Sequence, residues 1–523
     1  MDGETHGDRP LDVASHREVE LKLLAPPGTL EQIRMAPAVA RDARSQGVVR
    51  RLETVYYDTP DHLLFRHQAS LRVRRIGTRF VETLKLPADD DPLSRPEFEA
   101  PLASAAPDLT VLPLAGAALP FELPDSGALV PVFAARIRRR LVVMERPDAR
   151  IELALDEGEI AAGAERTPVC EIELELKSGE AATLYELGLA LLDVAPLRFG
   201  TLSKAERGYR LAFAEPPVAE KAGPLALGED AAVDDALAAM LASCHRQLLG
   251  NLAAAEAGRA EGVHQLRVAL RRLRSALALF AHLLPSAAFR ALNAEARLMG
   301  RALGPARGWD VFVGETLAGI ARTGLEPEGF ARLREAAEPL RRAAHSGVRD
   351  QLADPRTTRF LLGLGHLIER RGWRNDVSSE ALGFLAEPAV ALAQRMLDRA
   401  RRGVLKRGRH FRGLAPEERH ELRLKLKRLR YTVDFVLPLY PGDARAQTYL
   451  RRLSKLQDVL GADNDAATTG PLLRELQAAG TAPALHRAIG IIAGWQESER
   501  QHTAPAIHDK WRRFRDTEPF WER

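Results

Sequence analysis

Two short stretches of the chain set carboxylates at alternate positions. Glu18-Val19-Glu20-Leu21-Lys22 places two carboxylates and an ammonium on one face of an extended strand, with Val19, Leu21 and Leu23 on the other. Glu171-Ile172-Glu173-Leu174-Glu175-Leu176 repeats the arrangement. Cations follow the same alternation: Arg72 and Arg74 share a face in SLRVRR, Arg136, Arg138 and Arg140 share one in RIRRRLVV, Glu82 or Lys85 follows in VETLKL, and Lys204 follows in TLSKAER. Any one charged strand face can simply look at water. Several of them, with both signs in separate clusters, point to a shared site. If the sheet closes, its charged face becomes a lumen. Carboxylates there suit a hard divalent cation such as Mg²⁺ or Mn²⁺, and the Arg and Lys groups suit a phosphate chain whose charge they neutralise as a phosphoanhydride breaks.

A second set of cations lies further along. His264-x-x-Arg267-x-x-x-Arg271-Arg272-x-Arg274 reappears 156 residues later as His420-x-x-Arg423-x-x-x-Lys427-Arg428-x-Arg430. On a helix of 3.6 residues per turn, offsets of 0, 3, 7 and 10 return to within roughly 80° of one another. Leu266, Leu270, Leu273, Leu277 and Phe280 fall opposite the first row, and Leu422, Leu426, Leu429, Val433 and Val436 opposite the second. Any one such row can be a solvated basic face laced with ion pairs, but acidic partners at helical spacing are scarce here, so a polyanion is a reasonable counter-ligand. Arg399, Arg401, Arg402, Lys406, Arg407, Arg409 and Arg412 add a cationic run between the copies. Only Trp309, Phe411 and Tyr431 lie near these runs, too few to stack bases. Bare phosphates are favoured over nucleic acid.

The elements that carry these groups differ between the two halves. Up to about Phe213, short alternating runs bounded by Gly, Pro and Asp predict antiparallel strands. Residues 214–228, rich in Pro, Ala and Gly, predict a linker. Beyond it, Ala-, Leu- and Arg-rich segments with apolar residues three and four apart predict helices, and the repeat makes them one duplicated bundle. Each copy is followed by a Leu-Gly element, Leu303-Gly304 with Asp310 and Leu460-Gly461 with Asn464 and Asp465. The chain of 523 residues is too long for one core, which agrees with two domains. The net charge of +4 divides unevenly. Residues 1–228 carry 28 Lys and Arg against 36 Asp and Glu, and the remainder 47 against 35, so an acidic half of −8 precedes a basic half of +12. Two distant cysteines, Cys170 and Cys244, exclude a disulfide framework and fit a reducing cytoplasm. No stretch approaches 18 unbroken apolar residues and the N-terminus lacks the apolar core of a signal peptide, so no membrane association is expected.

Five motifs in order, Glu18-x-Glu20-x-Lys22, Tyr56-Tyr57-Asp58-Thr59-Pro60, Ser70-Leu71-Arg72-Val73-Arg74, Leu155-Asp156-Glu157-Gly158 and Glu171-x-Glu173-x-Glu175, resemble the CYTH family, the triphosphate tunnel metalloenzymes. The resemblance covers residues 16–213. Residues 229–520 resemble the CHAD domain, a duplicated helical bundle that binds inorganic polyphosphate through histidines and basic residues. CYTH followed by CHAD is similar to bacterial inorganic triphosphatases. The resemblance implies an eight-stranded antiparallel β tunnel followed by an all-α bundle, an α+β multidomain chain. It implies metal ligation by Glu18, Glu20, Glu171 and Glu173 with Asp156 or Glu175, and phosphate contacts from Lys22, Arg72, Arg74, Lys85, Arg138 and Lys204, with Glu18, Glu20 and Lys22 at the reacting centre. The RIRRR run permits more than one register. Polyphosphate would lie on His264, Arg267, Arg271, Arg274, His420, Arg423, Lys427 and Arg430.

The function expected is metal-dependent hydrolysis of tripolyphosphate to pyrophosphate and phosphate, in a cytoplasmic protein that can associate with polyphosphate granules. A CYTH-type adenylate cyclase or a thiamine triphosphatase would use the same strands, although no feature indicates a nucleobase or thiazolium pocket. A non-catalytic polyphosphate-binding or granule-targeting protein is the alternative outside enzymology; the presence of every motif carboxylate argues against it.

Overall fold

The computed structural model describes residues 16–522 except 88–92, 115–116, 118, 226, 229, 282, 376 and 480–482, and, inside strands and helices, leaves out the side chains of 16–18, 94–95, 416, 462–468, 479, 499–500 and 502–506. The side chains of Glu18, Asn464 and Asp465 therefore lie outside the described residues. By contact the chain forms two compact units, Met1–Pro217 with Asp354–Glu369, and Val218–Ala353 with Arg370–Arg523.

In the first unit, alternation produces the strands β1 (His16–Leu24), β2 (Val48–Asp58), β3 (Ser70–Ile76), β4 (Arg79–Lys85), β5 (Ser94–Leu102), β6 (Val130–Glu145), β7 (Arg150–Ala162), β8 (Glu165–Ser178) and β9 (Arg198–Phe199). They form one sheet in the order β5-β4-β3-β2-β6-β7-β8-β1-β9, antiparallel at each pairing. The eight-stranded tunnel expected from the sequence is corrected here. A ninth strand, β9, takes the edge of β1 at Leu23 and Leu24, and among the described residues β1 pairs with β5 over His16–Val19. The sheet is thus not closed strand against strand along its length. Two residues are too few to show alternation, so β9 left no signal in the sequence.

Side-chain parity divides the sheet into an apolar and a charged face. Leu21, Leu23, Val142, Met144, Ile151, Leu153, Ile172 and Leu174 pack with Leu184, Leu187 and Leu191 of the Ala182–Leu192 helix. Leu362, on the Pro355–Glu369 helix more than 160 residues further along, completes this core and is fully buried. Gly365 on that helix lies against Tyr185, where an added Cβ would meet the ring at 2.2 Å, so the two helices approach as closely as glycine permits. Arg359 reaches Asp193 at 2.7 Å and His366 reaches Glu186 at 3.1 Å. Leu362→Ala is expected to cost about 2–5 kcal/mol by opening a cavity in this core. Urea unfolding followed by circular dichroism measures it.

The opposite face carries Phe133, Ala135, Ile137, Ile160 and Val169 at one end, covered by Ala205 and Tyr209 of the Lys204–Phe213 helix. Ser203 and Glu206 form a capping box at its start. Gly208 sets the helix on β6, since an added Cβ would overlap the Phe133 ring at 2.0 Å. Asp58 ends β2 by accepting the backbone N–H groups of Leu64 and Phe65 at 2.8 and 2.9 Å.

The second unit is helical. Its duplicated segments are the Ala260–Phe280 and Pro416–Val436 helices, and the apolar rows opposite their cations are buried as the spacing predicts. The helices are neighbours: Arg271 Nε donates to the Tyr431 hydroxyl at 3.1 Å. Among the described residues no helix is long and apolar enough to cross a membrane.

Candidate metal centre and basic rows

The charged face gathers its groups by strand register. β1 pairs Lys22 with Glu173, β7 pairs Asp156 with Glu171, and β6 pairs Arg139 with Asp156. Opposed residues of paired strands share a face, so these five side chains converge. Asp156, Glu171 and Glu173 are buried, and one carboxylate oxygen from each lies within 4.8 Å of the others. Lys204 Nζ contacts all three, at 2.7 Å from Asp156 and 2.8 Å from Glu173, with a short contact to Glu171. Lys22 Nζ is 2.8 Å from Glu173, 3.7 Å from Glu171 and 3.2 Å from Glu20. Arg139 forms a fork on Asp156, at 2.7 and 2.6 Å, and also donates to Glu173. Arg207 Nη1 donates to Glu171 at 2.8 Å.

These contacts decide protonation. Burial alone would raise the Glu173 carboxyl, but Lys204, Lys22 and Arg139 outweigh it and hold the group well below the usual carboxylate range. Asp156 is lowered likewise, with burial overcome by Lys204 and Arg139. Burial would lower Lys22 and Lys204, yet the surrounding carboxylates keep both above the ordinary lysine value. The centre is therefore an ionised cluster of both signs, sequestered from solvent. Its donors are all carboxylate oxygens, a set that suits a hard divalent cation. Replacing part of the ammonium charge with an ion requires no new ligands.

Further along the same face, Arg72 donates to Glu97 at 3.2 Å, and Lys85 lies 3.3 Å from Glu97. Arg74 donates to Thr54 Oγ1 at 3.3 Å, and burial together with Arg72 and Arg139 pushes its guanidinium down to about 10. A buried guanidinium beside two others, with a neutral hydroxyl for its hydrogen bond, is poised for an anion.

Of the expected site residues, the structure brings Lys22, Lys204, Asp156, Glu171 and Glu173 together, with Glu20 beside Lys22, and sets Arg72, Arg74 and Lys85 on the same face. Arg138 does not join them. Its side chain is 57% exposed and meets Glu157 on the opposite face at 3.7 Å. Parity explains the correction, because Phe133, Ala135 and Ile137 turn odd-numbered residues of β6 toward the charged face and Arg139 follows them. The apolar residues of the run, rather than its three alternate arginines, carried the signal. Arg207 was also missed, although it follows Lys204 by three residues on a helix opened by a Ser203–Glu206 capping box, which puts both cations on one face.

Glu82 faces away from Lys85, with no exposure to solvent. It accepts the Asp108 N–H at 3.1 Å, while its Oε2 has no partner. Burial, with the Asp108 charge adding to it, pushes the carboxyl up to about 7. The native state then holds this proton more tightly than the unfolded chain, so the contribution of Glu82 to stability is fully present below the unfolded value of about 4.3 and is lost as pH rises through about 7. Glu82→Gln is expected to flatten that fall; thermal unfolding from pH 4.5 to 8 checks it.

In the helical unit, Arg267 Nη1 donates to the Gly300 carbonyl at 2.5 Å and Arg274 Nε to Asn293 at 3.1 Å, so both guanidiniums are positioned by neutral acceptors. Burial and Arg307 hold the His264 imidazole below its ordinary value. Arg430 is bound to Asp434 at 3.0 Å and to Ser454. Arg423, Lys427 and Arg430 are half-buried and His420 is exposed. Arg272 of the repeated motif turns inward, bonded to Gln247 and Ser243 at 2.7 and 3.0 Å and lying over Phe435.

An antiparallel sheet bearing a buried acidic, metal-competent cluster on its charged face defines the class of the first unit. A CYTH domain model matches residues 16–209 and a CHAD domain model residues 239–474. The chain thus carries a CYTH domain followed by a CHAD domain. It is 34% identical over 197 residues to a protein of Haemophilus influenzae named inorganic triphosphatase, an overlap of 37% of this chain and 55% of the relative. The match thus spans about half the length of that relative. An uncharacterized protein of Mycobacterium tuberculosis is 27% identical over 499 residues, 90% of each chain. A crystal structure of the CHAD domain from the plant Ricinus communis is similar at 29% identity and a TM-score of 0.48, covering 56% of this chain and 96% of that one.

Proposed function

We propose that the chain is a divalent-metal-dependent inorganic triphosphatase that hydrolyses tripolyphosphate to pyrophosphate and phosphate, with inorganic polyphosphate bound by the basic rows of its helical unit. The observation that carries the reading is the cluster of Asp156, Glu171 and Glu173, within 4.8 Å and buried, on the face that also presents Arg72, Arg74 and Lys85. The 34% identity to a protein named inorganic triphosphatase supports the choice of substrate.

Asp156, Glu171 and Glu173 would hold Mg²⁺ or Mn²⁺, with Glu20 and Glu18 contributing from β1. The ion supplies charge neutralisation and Lewis acidity at phosphate oxygens. The chain's own cations do the remaining work. Arg72, Arg74 and Lys85 bind the phosphate chain and align it, Lys22 and Lys204 meet the charge that develops at the reacting phosphoryl group, and Arg139 and Arg207 fix the carboxylates that surround it. One water adds its oxygen to phosphorus, the bridging P–O bond breaks, and the products leave as phosphate and pyrophosphate. Comparing kcat/KM for tripolyphosphate, ATP and thiamine triphosphate tests the assignment. Tripolyphosphate is expected to rank first; turnover of nucleotides alone overturns it.

For the helical unit, the neutral acceptors that position Arg267, Arg271 and Arg274 support anion binding, since their charge is not spent on carboxylates. Affinity for long-chain polyphosphate is expected to fall with salt and to be lost when Arg267, Arg271, Arg423 and Lys427 are changed together to Gln. Unchanged binding by that variant, measured by fluorescence anisotropy, removes the rows from the account.

A further inference from the structure

A second concentration of positive charge lies in the helical unit away from the repeated rows. The Ala444–Ala479 and Pro483–Arg515 helices flank a solvent-open cavity of about 240 Å³ lined by Thr448, Arg451, Arg452, Lys455, Lys510 and Arg513. Thr448, Arg451, Arg452 and Lys455 are spaced i, i+3, i+4 and i+7, which makes one stripe, and Lys510 and Arg513 form the matching i, i+3 pair. The basic row of the Pro416–Val436 helix meets the same helix at Ser454, outside that stripe. The cavity is therefore a separate flank.

Its charge is left largely uncompensated. Among the described residues, Asp509 is the one carboxylate paired with a lining cation, at 2.8 Å from Arg513. Arg451 donates to Thr448 Oγ1 at 3.1 Å, and Arg452 to Thr517 Oγ1 at 2.9 Å and the Arg513 carbonyl at 3.3 Å. These neutral acceptors orient two guanidiniums without spending their charge. Five like charges around one cavity repel unless an anion enters. No aromatic residue lines it to stack a base, and no aliphatic residue lines it to seat an organic group. Guanidinium forks and ammonium groups match phosphate oxygens.

We infer that this cavity binds a compact inorganic phosphate anion of the pyrophosphate class, at a site distinct from both the carboxylate cluster and the basic rows. The inference stands whether or not the cluster hydrolyses tripolyphosphate. The full chain, in chelator and without divalent metal so that no turnover intervenes, is treated with an amine-acylating reagent across a pyrophosphate titration, and modification is read at each lysine by mass spectrometry. Lys455 and Lys510 are expected to be protected together and saturably, beyond what chloride at equal ionic strength gives. Arg451→Gln is expected to raise the protection midpoint about tenfold, the scale of one charge-assisted hydrogen bond. Its thermal unfolding should be unchanged, since Arg451 is exposed. Protection no greater than with chloride overturns the site. Protection by polyglutamate but not by pyrophosphate also overturns it, assigning the flank to an acidic protein partner.

Discussion

Glu173→Gln is expected to lower kcat/KM for metal-dependent tripolyphosphate hydrolysis by about 10²–10³-fold, the scale seen when one charged or polar group is removed from a preorganised electrostatic site. The substitution keeps the shape of the side chain and removes its charge. Glu173 contacts Lys22, Lys204 and Arg139 at once, each within 2.8 Å. The amide leaves three cations competing for Asp156 and Glu171 and takes one anionic oxygen from the candidate metal donors. Breaking a buried pair in this way also costs about 3–5 kcal/mol of stability. Steady-state kinetics therefore belong at a temperature well below the variant's unfolding midpoint, with circular dichroism as the check on folding. Activity within twofold of the parent would remove Glu173 from the reacting centre.

The second large effect separates two adjacent arginines. Arg139→Ala removes a bidentate partner of Asp156 and a donor to Glu173, and is expected to destabilise the first unit by about 3–5 kcal/mol and to abolish hydrolysis. Arg139→Lys keeps the charge and loses the fork, so it should recover part of the stability and less of the activity. Arg138→Ala should leave both nearly unchanged, because an exposed ion pair at 3.7 Å contributes about 0–1 kcal/mol. Thermal unfolding and phosphate release on the three variants give the comparison. A larger loss from Arg138→Ala than from Arg139→Ala would reverse the assignment of faces on β6.

The contrast between these arginines shows what the sequence could disclose. Alternation is a local property, and where apolar and charged residues alternated cleanly, as in Glu18–Leu23 and Cys170–Leu176, strand and face could both be read. In RIRRR the charges occupy three adjacent positions, and a one-residue shift exchanges the faces. Only the parity of Phe133, Ala135 and Ile137 resolves it. The helical repeat was legible because two copies report the same face twice. The place of the Pro355–Glu369 helix was not. Its spacing announces an amphipathic helix, but nothing local says that Leu362 and Gly365 pack on Tyr185 and Leu187 of the first unit instead of among the helices that flank them in the chain. The flank lined by Arg451, Arg452 and Lys455 escaped for a related reason, since its other wall comes from Lys510 and Arg513, about 60 residues away. The −8 charge of the acidic half now has a location in part, in the buried carboxylates whose charge neighbouring lysines and arginines balance.

The central claim, that Asp156, Glu171 and Glu173 hold the divalent ion on which hydrolysis depends, is tested most directly by titrating Mn²⁺ into chelator-treated protein while following bound metal by electron paramagnetic resonance and phosphate release from tripolyphosphate in the same samples. Binding and activity should rise together in the parent chain, and both should be lost in Glu173→Gln and Asp156→Asn. Full activity before any metal is added, or Mn²⁺ binding that survives both substitutions, would contradict the claim.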